Sequence, residues 1–247
     1  MEREKTMKCN RILIIMIILV FIVILSVCVY LLLKNLQELN ESNESTENLI
    51  EESIEINEET QEKCIDWDYL KSVNEDIIAW IEIEDTNINY PILKDEEGYY
   101  LKHSFDKKYN SNGSIFTTNL LPFEDEETIV YGHNMRNGSM FSILSKYMYE
   151  DFFDEHQYIK IYTPNCNYDG QIFSVYSIGI NTENDNIKSL DFNERIEYYK
   201  EMSAININNT TDISKIVKLS TCSYINAKTS PTDQRYYIIA SITPTEE

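Results

Sequence analysis

Positive charge is scarce in this chain: 21 Lys and Arg stand against 42 Asp and Glu in 247 residues, a formal net charge of -21. A phosphate backbone or an anionic lipid surface would be repelled, so no nucleic acid partner is expected. Two readings of the acidity stay open, solubility at a cell surface and attraction of an amine-bearing acceptor. Cysteine is sparse too. The five present, Cys9, Cys28, Cys64, Cys166 and Cys222, form no C-x-x-C pair, which excludes a zinc ribbon and a thioredoxin motif. The histidines offer no partner at ligand spacing, so neither a metal nor any other cofactor is expected. No G-x-S-x-G occurs, which argues against a serine hydrolase of that kind. Internal repeats and Gly/Ser linkers are absent beyond Asp66, so one domain suffices there.

What the chain does have is one long apolar run. Residues 12–33, from Ile12 to Leu33, contain no charge, and as a helix they would extend about 33 Å, enough to cross a bilayer core. The run exceeds the ordinary core of a cleaved signal peptide, and no small-x-small site follows it, so an uncleaved anchor is the better reading. Arg3, Lys5, Lys8 and Arg11 precede the run, and Glu38, Glu41 and Glu44 follow it. By the positive-inside rule, residues 1–11 are cytoplasmic, 12–33 are the membrane anchor, and everything after is extracytoplasmic. Residues 34–65 are rich in Glu, Asn and Ser, poor in groups to bury, and read as an acidic spacer with broken helical periodicity. Residues 66–247 are the expected folded domain.

That domain opens with a carboxylate, Asp66 or Asp68, able to cap a helix carrying Tyr69, Leu70, Val73, Ile77 and Ile78 at three- and four-residue intervals. After Trp80 the period falls to two, through Ile81, Ile83, Ile88, Tyr90 and Ile92, with Pro91 marking an edge or a strand end. Further strands are expected at 114–117, 128–131, 158–163, 171–180, 215–221 and 236–242. Helices are expected at 140–148 and 193–205, and a hairpin turn at 165–170. Many short strands with inserted helices make this a mainly β fold with inserted helices (α+β), a closed β-barrel of mixed pairing preceded by a helix.

Three strand ends carry chemistry. The run Ile216 to Thr221 delivers Cys222 to its end, and a second strand opens at Arg235. The run Thr128 to Tyr131 ends in Gly132 and His133. His133 is the one histidine directly behind an apolar strand, whereas His103 and His156 sit in polar surroundings and read as surface residues. A thiol, an imidazole and a guanidinium make a nucleophile, a proton carrier and an anion stabiliser. An isolated cysteine is more often a buried structural residue, but Ser220 and Thr221 before it and Ser223 and Tyr224 after it mark the end of an apolar strand, where a side chain reaches a groove. A thiolate–imidazolium pair and a neutral pair are both compatible with the sequence. Cys64, Cys166 and Cys222 lie beyond the anchor, an odd number consistent with one reactive thiol; pairing of Cys64 with Cys166 stays open.

The pieces Leu219-Ser220-Thr221-Cys222, Tyr131-Gly132-His133-Asn134-Met135 and Gly138-Ser139-Met140-Phe141 resemble those of the sortases, class B in particular. The resemblance continues upstream through Asn74 to Ile81, Asn89 to Ile92, Tyr99-Tyr100-Leu101 and Gly113 to Phe116, and covers roughly residues 66–242. It implies a membrane-anchored cysteine transpeptidase with a sortase-like closed barrel. Cys222 would be the nucleophile, His133 the acid and base, and Arg235 the cation beside the oxyanion. Leu101, Tyr131, Ser220, Thr221 and Ile187 would line the substrate groove. The partners implied are secreted proteins bearing a C-terminal sorting motif of the N-P-x-T kind, and a peptidoglycan cross-bridge amine as acceptor, in a Gram-positive cell. A pilin lysine as acceptor, water as acceptor in a cysteine peptidase, and a catalytically silent wall-binding module are the rivals. Three departures from the family pattern stand out. The thirteen-residue step from Cys222 to Arg235 is longer than the family's, with residues 227–233 enlarging the loop; Glu97 replaces an asparagine; and Asn186-Ile187 stands where the family has Tyr-Ile.

Overall fold

The structure, a computed structural model, describes residues 2–56, 63–207, 212–225 and 232–245, with backbone only for 2–13 and for positions 35, 38, 39 and 42. Two compact units make up the chain, Met1–Leu49 and Ile50–Glu247. Helix α1 (Glu2–Ser53), whose last four residues belong to the second unit, contains the stretch Ile14–Lys34, 21 residues of mean hydropathy 3.3 with no part of it buried. It is long and apolar enough to cross a membrane.

The expected spacer is more structured than its composition suggests. Helix α1 runs to Ser53, and strands β1 (Ile54–Ile56) and β2 (Lys63–Ile65) pair antiparallel inside the second unit. Several contacts tie this stretch to the rest of that unit: the Ser53 carbonyl accepts from Asp66 N–H at 2.8 Å, the Tyr69 hydroxyl donates to Glu52, and Lys63 pairs with Glu82. The unit therefore begins near Ile50, ahead of the expected boundary at Asp66.

Asp66 caps α2 (Trp67–Val73), its carboxylate accepting from Tyr69 N–H at 2.8 Å. The expected continuation through Ile77 and Ile78 does not occur. Asn74 turns extended, its Nδ2 donates to the Phe105 carbonyl and the Tyr100 hydroxyl, and its Oδ1 accepts from Asp76 N–H, so Ile77 already opens β3 (Ile77–Glu82). An asparagine offering bonds to the backbone outside a helix ends it, whatever apolar spacing follows.

The remaining elements are β4 (Asn89–Lys94), β5 (Ile115–Thr117), β6 (Glu127–Tyr131), α3 (Glu150–Glu155), β7 (Tyr158–Tyr162), β8 (Tyr168–Gly179), α4 (Ile180–Ile187), α5 (Phe192–Met202), β9 (Ile216–Cys222) and β10 (Gln234–Pro244). Eight strands close into a barrel in the order β10-β8-β7-β3-β4-β5-β6-β9. Pairing is mixed: β4–β5 and β6–β9 are parallel, and the other adjacent pairs are antiparallel. Pro91 lies one residue before the stretch of β4 that pairs with β5, where its missing N–H deprives no ladder.

Alternation separates two cores. Ala79, Ile81, Ile92, Val130, Val217, Leu219, Ile238 and Ala240 fill the barrel. On the outer face, Phe173, Tyr176, Ile216, Tyr237 and Ile239 pack beneath Ile196 and Tyr199 of α5. Helix α5 is set by a capping box, Asp191 with Glu194. One expectation holds in a different form and one changes. The helix expected at 140–148 forms over Ser142–Met148 as a 3₁₀ helix. His156 is buried, stacked on Phe152 at 4.1 Å with Nδ1 bonded to the Phe152 carbonyl, because α3 folds it inward.

Candidate active site

Cys222 ends β9 directly opposite Arg235 of β10, so the two side chains leave the sheet on the same face. On the other side of β9 runs β6, parallel, with Tyr131 opposite Ser220 and Gly132 N–H donating to the Ser220 carbonyl at 3.2 Å. His133 thus stands two residues past Tyr131, as Cys222 stands two past Ser220. The cysteine lies on the middle strand, with the imidazole strand on one side and the guanidinium strand on the other. The side chains of all three residues are half-buried.

Local sequence explains how His133 gets there. A Cβ on Gly132 would lie 2.5 Å from Ile115 Cδ1 and 2.7 Å from the Phe141 ring, so only glycine lets the chain leave β6 against that wall. Phe141 N–H donates to the His133 carbonyl at 3.0 Å. His133 Nε2 lies 2.8 Å from the Leu101 carbonyl. A carbonyl only accepts, so Nε2 carries hydrogen and Nδ1 is the ring nitrogen left to exchange a proton.

The Leu101 carbonyl is itself held in place. Buried Asp95 accepts from the N–H groups of Glu97, Gly98 and Tyr99 through Oδ1 and of Tyr100 through Oδ2, which fixes the turn leading to Leu101. Gly113, at φ +60°, passes so close that a Cβ there would meet the Tyr100 and Leu101 carbonyl oxygens at 2.6 and 2.7 Å. Neither Asp95 nor Asn134 is singled out by the sequence alone. Asn134 Nδ2 donates to the Cys222 carbonyl at 2.7 Å and so binds the loop after β6 to the end of β9.

Arg235 spends Nη1 on the carbonyls of Thr232 and Gln234, both at 2.9 Å. Nη2 has no hydrogen-bond partner among the described residues. The Thr232 and Gln234 bonds draw the near end of the enlarged loop into a turn; residues 226–231 of that loop lie outside the described residues.

The five expected groove residues separate. Leu101 is exposed at 44 %, and Tyr131 is half-buried with its ring 5.5 Å from that of Phe116. Ser220 is buried on the outer face. Thr221 is a correction: it pairs with Tyr236, a barrel-core residue, and is buried with its hydroxyl unpartnered, so it faces the interior and not the groove. Ile187 closes α4, a helix in a stretch for which no element was expected, and packs on the outer-face cluster. Cys64 and Cys166 are free thiols lining one surface cavity with Trp67 and Tyr162. No group of three metal-binding side chains occurs among the described residues.

The Sortase domain profile matches residues 81–243, which span all of the barrel strands except most of β3 and the last residue of β10. Sortase B of Listeria monocytogenes is 34 % identical over 174 residues, 68 % of this chain and 70 % of that protein. The chain belongs to the class B sortases. Members of the family are cysteine transpeptidases, and this sortase is one. Its fold matches the crystal structure of sortase B from B. anthracis in complex with AAEK1 at a TM-score of 0.68 and 28 % identity, covering 85 % of this chain and all of that one. A Staphylococcus aureus sortase B–substrate complex matches at 0.62 and 27 % identity, over 73 % of this chain and 85 % of that one.

Proposed function

We propose that this sortase cleaves secreted proteins at a C-terminal N-P-x-T-like sorting motif and joins the new carboxyl end to an amine of the peptidoglycan cross-bridge. The placement of Cys222 between His133 and Arg235 at the ends of three adjacent strands carries this reading. With the proton of the Cys222–His133 pair on Nδ1 of the ring, Cys222 Sγ attacks the threonine carbonyl carbon as a thiolate. The C–N bond breaks, the departing amine takes a proton from the imidazole, and the acyl group stays as a thioester. The acceptor amine gives its proton to His133 and attacks the thioester, and the sulfur leaves as thiolate. Arg235, with a fixed charge and forked donors, sits where oxygen charge develops on the acyl group. Leu101 and Tyr131 supply apolar surface at the rim. The Ile14–Lys34 stretch anchors the protein with its N-terminus in the cytoplasm and the barrel outside, the orientation given by the basic residues ahead of it.

The test uses peptides bearing the motif, with and without an amine acceptor, followed by mass spectrometry of the enzyme. Wild type should show a peptide adduct that an amine discharges into a new amide. Cys222→Ala should show neither adduct nor product, and Cys222→Ser should be nearly as inactive because an alcohol ionises far less readily than a thiol. Product from Cys222→Ala at the wild-type rate would remove the nucleophile and the mechanism with it.

A further inference from the structure

Helix α4, Ile-Asn-Thr-Glu-Asn-Asp-Asn-Ile, has apolar residues only at its two ends, and its one buried side chain is Glu183. Eight residues of that composition would not hold a helix by themselves. What fastens it is Lys218, in the middle of β9 and equally buried. Lys218 Nζ donates to Glu183 Oε1 at 2.5 Å, the Tyr176 hydroxyl donates to the same oxygen at 2.6 Å, and the Tyr198 hydroxyl donates to Oε2 at 2.9 Å. The ammonium also lies 4.2 Å from the centre of the Tyr237 ring and 4.5 Å from that of Tyr199. Three donors on one carboxylate and two ring faces on one ammonium suit an ionised pair. Burial pulls the Lys218 pKa down and Glu183 opposes it.

A lysine buried in the middle of β9 is a costly choice, because both it and Glu183 must be taken out of water to form the pair. Its address suggests why it is there. Lys218, Ser220 and Cys222 alternate along one face of β9, and Tyr237, against which Lys218 rests, is two residues from Arg235 on the same face of β10. Helix α4 starts beside the site: Gly179 pairs with Gln234, and Ile180 N–H donates to the Asp233 carbonyl at 2.9 Å.

We propose that Glu183 and Lys218 are positioning residues for peptide binding: their buried pair pins α4 to the barrel as one wall of the substrate groove. The proposal rests on the sorting-peptide reading above. Neither residue touches the thiol or the imidazole, so the clamp acts on how the peptide is held and leaves the chemistry of Cys222 alone.

The experiment compares wild type with Glu183→Gln, Lys218→Met and the double variant Glu183→Leu/Lys218→Met in the full chain. Three readings are taken: KM and kcat with the sorting peptide, alkylation of Cys222 by a small reagent, and amide hydrogen exchange over 180–187. Glu183→Gln should raise KM about tenfold or more with kcat and alkylation held near wild type, and α4 amides should lose protection. The double variant covers the case in which a single change leaves a lone buried charge and unfolds the protein. It should fold, yet KM should stay raised, because the Tyr176 and Tyr198 hydroxyls have lost their acceptor. A wild-type KM in the double variant overturns the proposal, as does a parallel fall in kcat and alkylation, which would mark general structural damage. If wild type itself fails to cleave the peptide, the sorting reading is what fails; α4 amides that stay protected in Glu183→Gln overturn the clamp whatever the peptide result.

Discussion

Gly132 is the position at which the smallest possible side chain should do the most harm. In Gly132→Ala the new methyl would sit 2.5 Å from Ile115 Cδ1 and 2.7 Å from two atoms of the Phe141 ring. Ordinary carbon contacts begin near 3.5 Å, so about 1 Å of displacement has to be found. Both neighbours are buried in the barrel core, with no open space to swing into. Overpacking of this kind costs about 1–3 kcal/mol. In a domain of this size each kcal/mol lowers the melting temperature by about 2–4 °C, which sums to a loss of roughly 2–12 °C. The effect on chemistry should be larger in proportion. The residue after Gly132 is His133, and a misplacement of about 1 Å in a reacting group costs on the order of a hundredfold in rate. Thermal unfolding and single-turnover acylation with a sorting peptide should therefore both be measured. Shortening the obstructing side chain, in Gly132→Ala/Ile115→Ala, should return part of the acylation rate even though Ile115→Ala alone leaves a cavity and lowers stability. Wild-type acylation in Gly132→Ala would show that His133 tolerates the shift or is not the proton carrier, and the positional reasoning would fall.

Other outcomes follow from the same geometry. Arg235→Ala should slow acylation by about a hundredfold or more while leaving Cys222 alkylation nearly unchanged, and Arg235→Lys should recover only part of the loss; unaltered acylation in the alanine variant would make this arginine a rim residue. Asp95→Ala strips four N–H groups of their acceptor and loosens the carbonyl that orients His133, so acylation should fall together with the melting temperature, by several degrees, and a variant as stable as wild type would contradict the role assigned to that turn. A chain beginning at Asp66 should still cleave peptide, since no site residue precedes it, but it should melt lower than one beginning at Ile50, which keeps the bonds from Glu52, Ser53 and Lys63; equal melting would make the β1–β2 pair an ornament.

Much of the candidate site was legible because strand ends announce themselves. An apolar run that stops at Cys222, another that stops at Gly132-His133, and a third that opens on Arg235 are local signals, and the closed mixed barrel that joins them agrees with the alternation of Val217, Leu219, Ile238 and Ala240 inside it. The same alternation places Thr221 inward, a deduction hidden by the attraction of its motif. Other features had no local signature. Asp95 and Asn134 act through bonds to backbone groups far along the chain or at the far side of a turn, which no spacing rule exposes. Helix α4 was invisible because its periodicity is carried by a glutamate, the reverse of what an amphipathic pattern leads one to look for. The end of α2 was misjudged for a related reason: Ile77 and Ile78 fit a helical stripe, but Asn74 diverts the backbone first.

The parallel pairing of β6 and β9 has a consequence for how the enzyme comes into being. Tyr131 meets Ser220 across 89 positions of chain, and nothing local brings them together. Contacts at that separation form late and slowly, because the entropy of closing the loop is lost before any of the pairing energy is returned. Until that seam closes, the thiol of Cys222 has no imidazole beside it. A newly made chain is then an inert polypeptide with a bare cysteine, and competence to form a thioester arrives in the same step that seals the barrel.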